Sequence, residues 1–193
     1  MAEEGSWASI SRVGLLSTSA LLDLFEVREP ERDGIESRRR PETVEIQHPM
    51  YGTAWVRDNK SINETVLKRT LIGMTDREWY RALNRRVFFW LTEDRLDRLR
   101  YAPSYRSRRH DVLFVSTERL LSALGAEVEL SPINSGAVHP AANYTRGPET
   151  FLRIVDYPWD KRCTVARSEP IVELTVPYAV YDIAGLVDDV RTM

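Results

Sequence analysis

Apolar positions in the first half of the chain recur at three- and four-residue intervals between capping residues and glycines, the pattern of short amphipathic helices. In the second half they fall into brief runs of strand character. Trp7 and Ile10 share one face of a helix predicted over 7–13, with Ser6 placed to cap its start and Gly14 to end it. A second helix should open near Ser19 and carry Leu21, Leu22, Leu24 and Phe25. The charged stretch 28–42 reads as a solvated helix end plus a turn. Beyond it, Val44 to Gln47 and Thr53 to Arg57 are predicted to form a hairpin around His48-Pro49-Met50-Tyr51-Gly52. Asn63 can cap a helix running to about Ile72 before Gly73. Thr75-Asp76-Arg77-Glu78 has the spacing of a capping box and opens a helix through about Leu83.

The run Val87-Phe88-Phe89-Trp90-Leu91 is continuous, aromatic and short, which predicts a strand buried on both faces. Thr92 caps a short charged helix. Asp111 to Ser116 is a second buried strand, entered from the basic loop Tyr105-Arg106-Ser107-Arg108-Arg109-His110. A helix over 117–124 stops at Gly125, and a short strand over 127–130 leads into a loop rich in Pro, Asn and Gly from Ser131 to about Pro148. A loop of that length inside a compact domain is usually functional or mobile. Two strands, around Phe151 to Val155 and Pro170 to Val176, and an apolar segment from Tyr178 to Val190 close the chain. With helices concentrated in the N-terminal half and strands in the second, the pattern predicts an α+β fold, and 193 residues suit a single domain over 1–193.

An apolar share of 42 % and a charged share of 29 % exclude global disorder and a fibrous class. No run approaches the ~20 apolar residues that span a bilayer. The start Met1-Ala2-Glu3-Glu4 is acidic where a secretory leader is basic, so a cytoplasmic location is expected. Cys163 is the single cysteine, which allows no internal disulfide and no cysteine cluster for zinc. The net charge of −2 excludes a protein that holds nucleic acid by bulk electrostatics, while leaving room for local patches. The basic side chains are nearly all arginine, a bias that suits paired contacts to phosphate or carboxylate and that a GC-rich genome would also produce.

No Walker or Rossmann glycine loop, Gly-x-Ser-x-Gly elbow or His-Glu-x-x-His helix occurs. His48, His110 and His139 are dispersed and read as turn or surface residues, so no metal is expected. Glu173 is more informative. In Ile171-Val172-Glu173-Leu174-Thr175-Val176, alternation sets Val172, Leu174 and Val176 on one face and Ile171, Glu173 and Thr175 on the other. Either that second face is solvated or pairs with an arginine, or it aims a strand-held carboxylate into a cleft.

Four stretches share the order of segments in a known group: Ser9 to Ser17 with its Gly14-Leu15-Leu16-Ser17 turn, the aromatic strand Val87 to Thr92, Val112 to Thr117 with Leu120-Leu121, and Glu173 shortly before Val176-Pro177. Together they resemble the DarT-type DNA ADP-ribosyltransferases and, more distantly, the ADP-ribosyltransferase superfamily. The chain resembles more closely an uncharacterised bacterial domain-of-unknown-function family. The resemblance implies an ADP-ribosyltransferase-like split mixed/antiparallel β-sheet core, with Glu173 as catalytic residue. NAD, as substrate, would be bound by Gly14, Leu15, Ser17, Phe89 and Trp90; residues 27–60 have no clear counterpart in that group, and Arg57, before Asp58-Asn59-Lys60 at the end of a strand, is either the NAD-binding arginine or a surface arginine. The superfamily carries a histidine in a first strand upstream of the Gly-Leu turn, and Met1 to Ser6 holds none. The expectation is therefore that this strand precedes Met1 or that the NAD site is altered.

What the resemblance implies chemically is transfer of ADP-ribose from NAD to a nucleic-acid base or another macromolecule, in a toxin or defence effector that would have a neutralising partner protein. Single-stranded nucleic acid would meet Tyr105, Arg106, Arg108 and Arg109, a mix that binds by stacking and charge and that also suits a solvated loop. The competing expectation is a non-catalytic NAD- or nucleic-acid-binding module with the same fold.

Overall fold

The computed structural model describes residues 1–103, 105–163 and 170–193, and of Arg162 and Cys163 only the backbone, so the lone cysteine thiol lies outside the described residues. The elements in chain order are β1 (Ala2–Glu3), α1 (Trp7–Val13), β2 (Leu15–Leu16), α2 (Thr18–Leu24), α3 (Glu31–Glu36), β3 (Val44–His48), β4 (Gly52–Val56), α4 (Glu64–Thr70), α5 (Asp76–Asn84), β5 (Arg86–Trp90), α6 (Glu93–Arg100), β6 (His110–Val115), α7 (Thr117–Leu124), β7 (Glu129–Ser131), β8 (Leu152–Arg153), α8 (Trp159–Cys163), β9 (Glu173–Pro177), β10 (Ala179–Val180), α9 (Ile183–Leu186) and β11 (Val187–Thr192). The fold is α+β, and every pairing between these strands is antiparallel. One sheet has the order β1-β6-β11 and a second the order β5-β9-β7-β8, with two-stranded pieces β2-β10 and β3-β4 beside them.

Local chemistry places most helix starts. The Ser17, Asn63 and Ser116 side chains accept from backbone N–H groups in the first turns of α2, α4 and α7, and Thr75 and Glu78 close the expected capping box of α5. The first helix differs. Ser6 is itself helical and its hydroxyl does not cap; instead the Trp7 N–H donates to Asp111 Oδ2 at 3.2 Å, so the cap comes from the middle strand of a sheet. Thr92 likewise precedes α6 without a side-chain cap bond. The charged stretch contains a helix, α3, which carries Ile35 inward. The strand expected at 151–155 shortens to β8 because Ile154–Asp156 turns into a single 3-10 turn.

Three apolar clusters hold these pieces together. The largest unites Leu120 of α7, Leu130 of β7, Leu174 and Val176 of β9, Val180 of β10 and Ile183 of α9, with Trp7 and Ile10 packed against it. A second joins α4 and α5 to Val138 and Phe151, with the Trp79 and Phe151 rings stacked at 5.9 Å. The third seats the β3-β4 hairpin on α2 and α3 through Leu22, Phe25, Ile35, Ile46 and Val56. β5 corrects its expectation of burial on both faces. It is the outer strand of its sheet, which leaves Phe88 37 % exposed while Val87 is buried.

Candidate active site

β9 is bonded to β5 on one side and β7 on the other, so its backbone is fixed along both edges. The register sets Trp90 and Ser131 directly opposite Glu173, and residues opposite one another across antiparallel strands share a face. That face therefore carries Glu173, Thr175, Trp90, Phe88 and Ser131, while Leu174, Val176, Val87 and Phe89 turn to the main core. The alternation in the sequence assigns the two faces of β9 as the structure has them, and burial removes the solvated alternative for Glu173. Glu173 is only 2 % exposed, covered by the segment between β7 and β8, from which Ser135 N–H donates to both carboxylate oxygens at 3.2 Å each.

Burial pushes the Glu173 carboxyl up to about 7, against the Ser135 hydrogen bonds and the positive charges of Arg95 and Arg146, which lower it. The segment over it is ordered by contacts rather than open to solvent. Val138 bridges to Ile62 and Arg146 to Leu71, and Ser131, Ile133 and Ser135 are buried.

Glu173 and Trp90 line a cleft of about 740 Å³ together with residues of β5, β9 and β6, and the segment after β4 contributes Arg57, Asp58 and Asn59 to its lining. Two arginines stand there, Arg40 buried and Arg57 partly exposed. Arg40 donates Nη1 to the Ile35 carbonyl, Nε to the Arg57 carbonyl at 3.0 Å and Nη2 to Asn84 Oδ1 at 3.0 Å. Burial lowers its pKa to about 10, which leaves it a cation at neutral pH. Arg57 reaches His110 Nδ1 at 3.2 Å and Glu3 Oε1 at 3.7 Å, and its guanidinium lies 5.3 Å above the Tyr105 ring. Burial lowers the His110 pKa as well, with the Arg57 charge acting the same way, so the ring is neutral and its Nδ1 can accept from Arg57.

The other residues singled out in the sequence are distributed as follows. Leu15, Arg57, Phe89, Trp90, Tyr105 and Glu173 all line the one cleft. Phe89 faces the core beneath, and Phe88, on the Glu173 face, is the aromatic the sequence reading passed over. Ser17 caps α2 with its hydroxyl, so that oxygen is already engaged. Gly14 has φ of +100°, and a Cβ there would sit 2.8 Å from Tyr181 Cα, so the position serves the close approach of α1 to the end of β10. Arg108 and Arg109 face Glu3 and Glu4 at 4.0 and 3.0 Å, and the Tyr105 hydroxyl donates to Asp58 at 3.3 Å. Arg40, Asn84, Ser135 and Arg146 joined the site only in three dimensions. Among the described residues no group of three His, Cys, Asp or Glu is placed to hold a metal ion, and no helix is long and apolar enough to cross a membrane.

Compared with known proteins, residues 1–187 match the model of one protein family, whose description is a family of unknown function. No curated protein and no solved structure matches the chain.

Proposed function

We propose for this chain, which belongs to the DUF7002 family of unknown function, an NAD-dependent glycosyl transfer of the ADP-ribosyltransferase type, with Glu173 as the catalytic carboxylate. The observation that carries the reading is a carboxylate 2 % exposed, held by a central strand and placed beside Trp90 in a cleft that Arg40 and Arg57 also line. A cleft of about 740 Å³ falls in the range that encloses cofactor-sized ligands, ~300–1,000 Å³. Its donors suit the parts of NAD: two guanidiniums for the pyrophosphate, aromatic rings for nicotinamide, and a carboxylate for the ribose that becomes cationic.

In this reaction the bond between ribose C1′ and nicotinamide nitrogen breaks, its electron pair leaving with neutral nicotinamide, and the sugar passes through an oxocarbenium-like state. Ionised Glu173 stabilises that charge at close range in a low-dielectric site. The acceptor's nucleophilic atom then bonds C1′, and its proton goes to Glu173 or to water. The antiparallel sheets, split into a three-stranded and a four-stranded piece with the carboxylate strand next to the aromatic strand, support an ADP-ribosyltransferase-like architecture.

The acceptor proposed is a macromolecule that would meet Arg106, Arg108 and Arg109, exposed in the loop that brings Tyr105 to the cleft. For nucleic acid the support is weaker than the sequence suggests, because Glu3 and Glu4 offset two of these charges and the Tyr105 ring lies under Arg57. The test is incubation with NAD labelled in the nicotinamide ring, with and without single-stranded DNA or lysate. Release of nicotinamide by the native chain and its loss in Glu173→Gln are expected; undiminished release by Glu173→Gln, or no release and no binding of NAD at all, would overturn the proposal.

A further inference from the structure

Arg146 is 3 % exposed, a cation inside the protein that the chemistry above does not use. Its backbone is locked to the end of α4: Arg146 N–H donates to the Thr70 carbonyl and Ile72 N–H to the Arg146 carbonyl, each at 2.8 Å. From that anchorage the guanidinium reaches the Tyr144 carbonyl at 3.0 Å, Thr70 Oγ1 at 3.4 Å and the Ala137 carbonyl at 3.1 Å. Ala137 belongs to the cleft wall, two residues from Ser135, whose N–H is shared between the Glu173 oxygens. A continuous path of hydrogen bonds thus runs from α4 through Arg146 to the turn that holds the carboxylate.

We propose that Arg146 is the positioning residue of the Glu173 site: by gripping the Ala137 carbonyl it fixes the turn over β9 so that Ser135 N–H stays on the carboxylate. The proposal rests on Glu173 being the reacting group. A buried ion left with part of its donor set unmatched is unfavourable unless it acts on a nearby charge, and Arg146 Nε has no partner among the described residues while Glu173 is the anion whose field it feels. The charged groups acting on Glu173 are Arg146 and Arg95 of α6; further along the same sheet face lies the Arg86–Glu129 pair, closed on itself at 2.6 Å. Arg146 thereby does two things at once: it sets the geometry of the Ser135 N–H donor and it favours the ionised carboxylate.

The experiment follows the Glu173 carboxyl by NMR of protein carrying ¹³C-labelled glutamate, its resonance identified by its disappearance in Glu173→Gln. The pH profile of nicotinamide release is measured on the same samples. In Arg146→Met the Glu173 midpoint should rise by about one pH unit, the size of losing one opposite charge, and the acidic limb of the profile should move with it. Arg146→Lys keeps the charge but not the reach to several carbonyls, and Thr70→Val removes one anchor of the guanidinium; both should move the midpoint the same way by less. Unchanged midpoints in folded Arg146→Met overturn the proposal, and should that variant fail to fold, unchanged midpoints in both Arg146→Lys and Thr70→Val do so. A midpoint that follows Arg146 in a protein that never releases nicotinamide supports the positioning role and removes the NAD reading; release with a midpoint indifferent to Arg146 does the reverse.

Discussion

Holding an ionised carboxylate away from water is unfavourable, and for Glu173 the size can be worked out. Its pKa stands at about 7 in the folded protein, against 4.5 for an ordinary glutamate. A carboxyl whose folded value is raised contributes stability fully present below the unfolded value and lost as pH rises through the folded one. Between pH 4.5 and about 7 the native chain therefore gives up stability that its unfolded form does not. At ~1.4 kcal/mol per pH unit of separation the loss comes to about 3 kcal/mol, most of it complete by pH 7. Glu173→Gln has almost the same shape, can still accept from Ser135 N–H and carries no charge. Urea unfolding of both proteins at intervals from pH 4.5 to 8.5 is the assay, because every other titrating group cancels in the difference. The glutamine protein should gain on the native one with rising pH, reaching an advantage of roughly 2–3 kcal/mol at pH 8, while losing the proposed activity. A difference that stays flat across that range would refute the reasoning, since it would mean that Glu173 titrates alike in the folded and unfolded chains.

Other consequences are equally open to measurement. Gly14→Ala should destabilise by about 2–4 kcal/mol in thermal or urea unfolding, because the residue keeps a positive φ and its new Cβ meets Tyr181 backbone at 2.8 Å. Arg40→Met removes a cation that ties Ile35, Arg57 and Asn84 together, and a loss of about 3 kcal/mol is expected from the carbonyls left without donors. Arg57→Met should abolish the rise in melting temperature that NAD is proposed to give, while Arg106→Ala, in the exposed loop before β6, leaves it intact; equal responses would separate Arg57 from the ligand.

Local signals were legible at most helix starts, with Ser6 and Thr92 the exceptions whose hydroxyls make no cap bond. Asn63 and Thr75 cap the helices that follow them because a side-chain oxygen reaches a backbone N–H three residues on, a relation visible in the residue order itself. The two faces of β9 were legible for the same reason, since alternation is a property of one strand. What alternation could not show was whether the Glu173 face met water. That depends on Ser135, which is 38 residues away in the chain, and on α4 behind it. Asp111 capping α1 across 104 residues, and Arg40 reaching Asn84 across 44, belong to the same class of contact. Phe88 and Phe89 exchanged their expected places because the run reads as uniformly apolar, whereas its strand lies at the outer edge of a sheet with two different faces.

The guanidiniums of Arg40 and Arg146 behave as non-covalent cross-links that tie irregular chain to helix ends. Each gathers oxygens from distant segments: Ile35, Arg57 and Asn84 in one case, Thr70, Ala137 and Tyr144 in the other. Irregular backbone usually exchanges its amide hydrogens quickly, yet the amides of Asn59, Ile72, Val138 and Arg146 are bonded within these tied regions and should exchange with the slow, cooperative class. The cleft is then a preformed vessel, walled by strands of two sheets and by irregular segments that these arginines hold in place. A ligand entering it meets its final shape and gives up little free energy in ordering the protein around it.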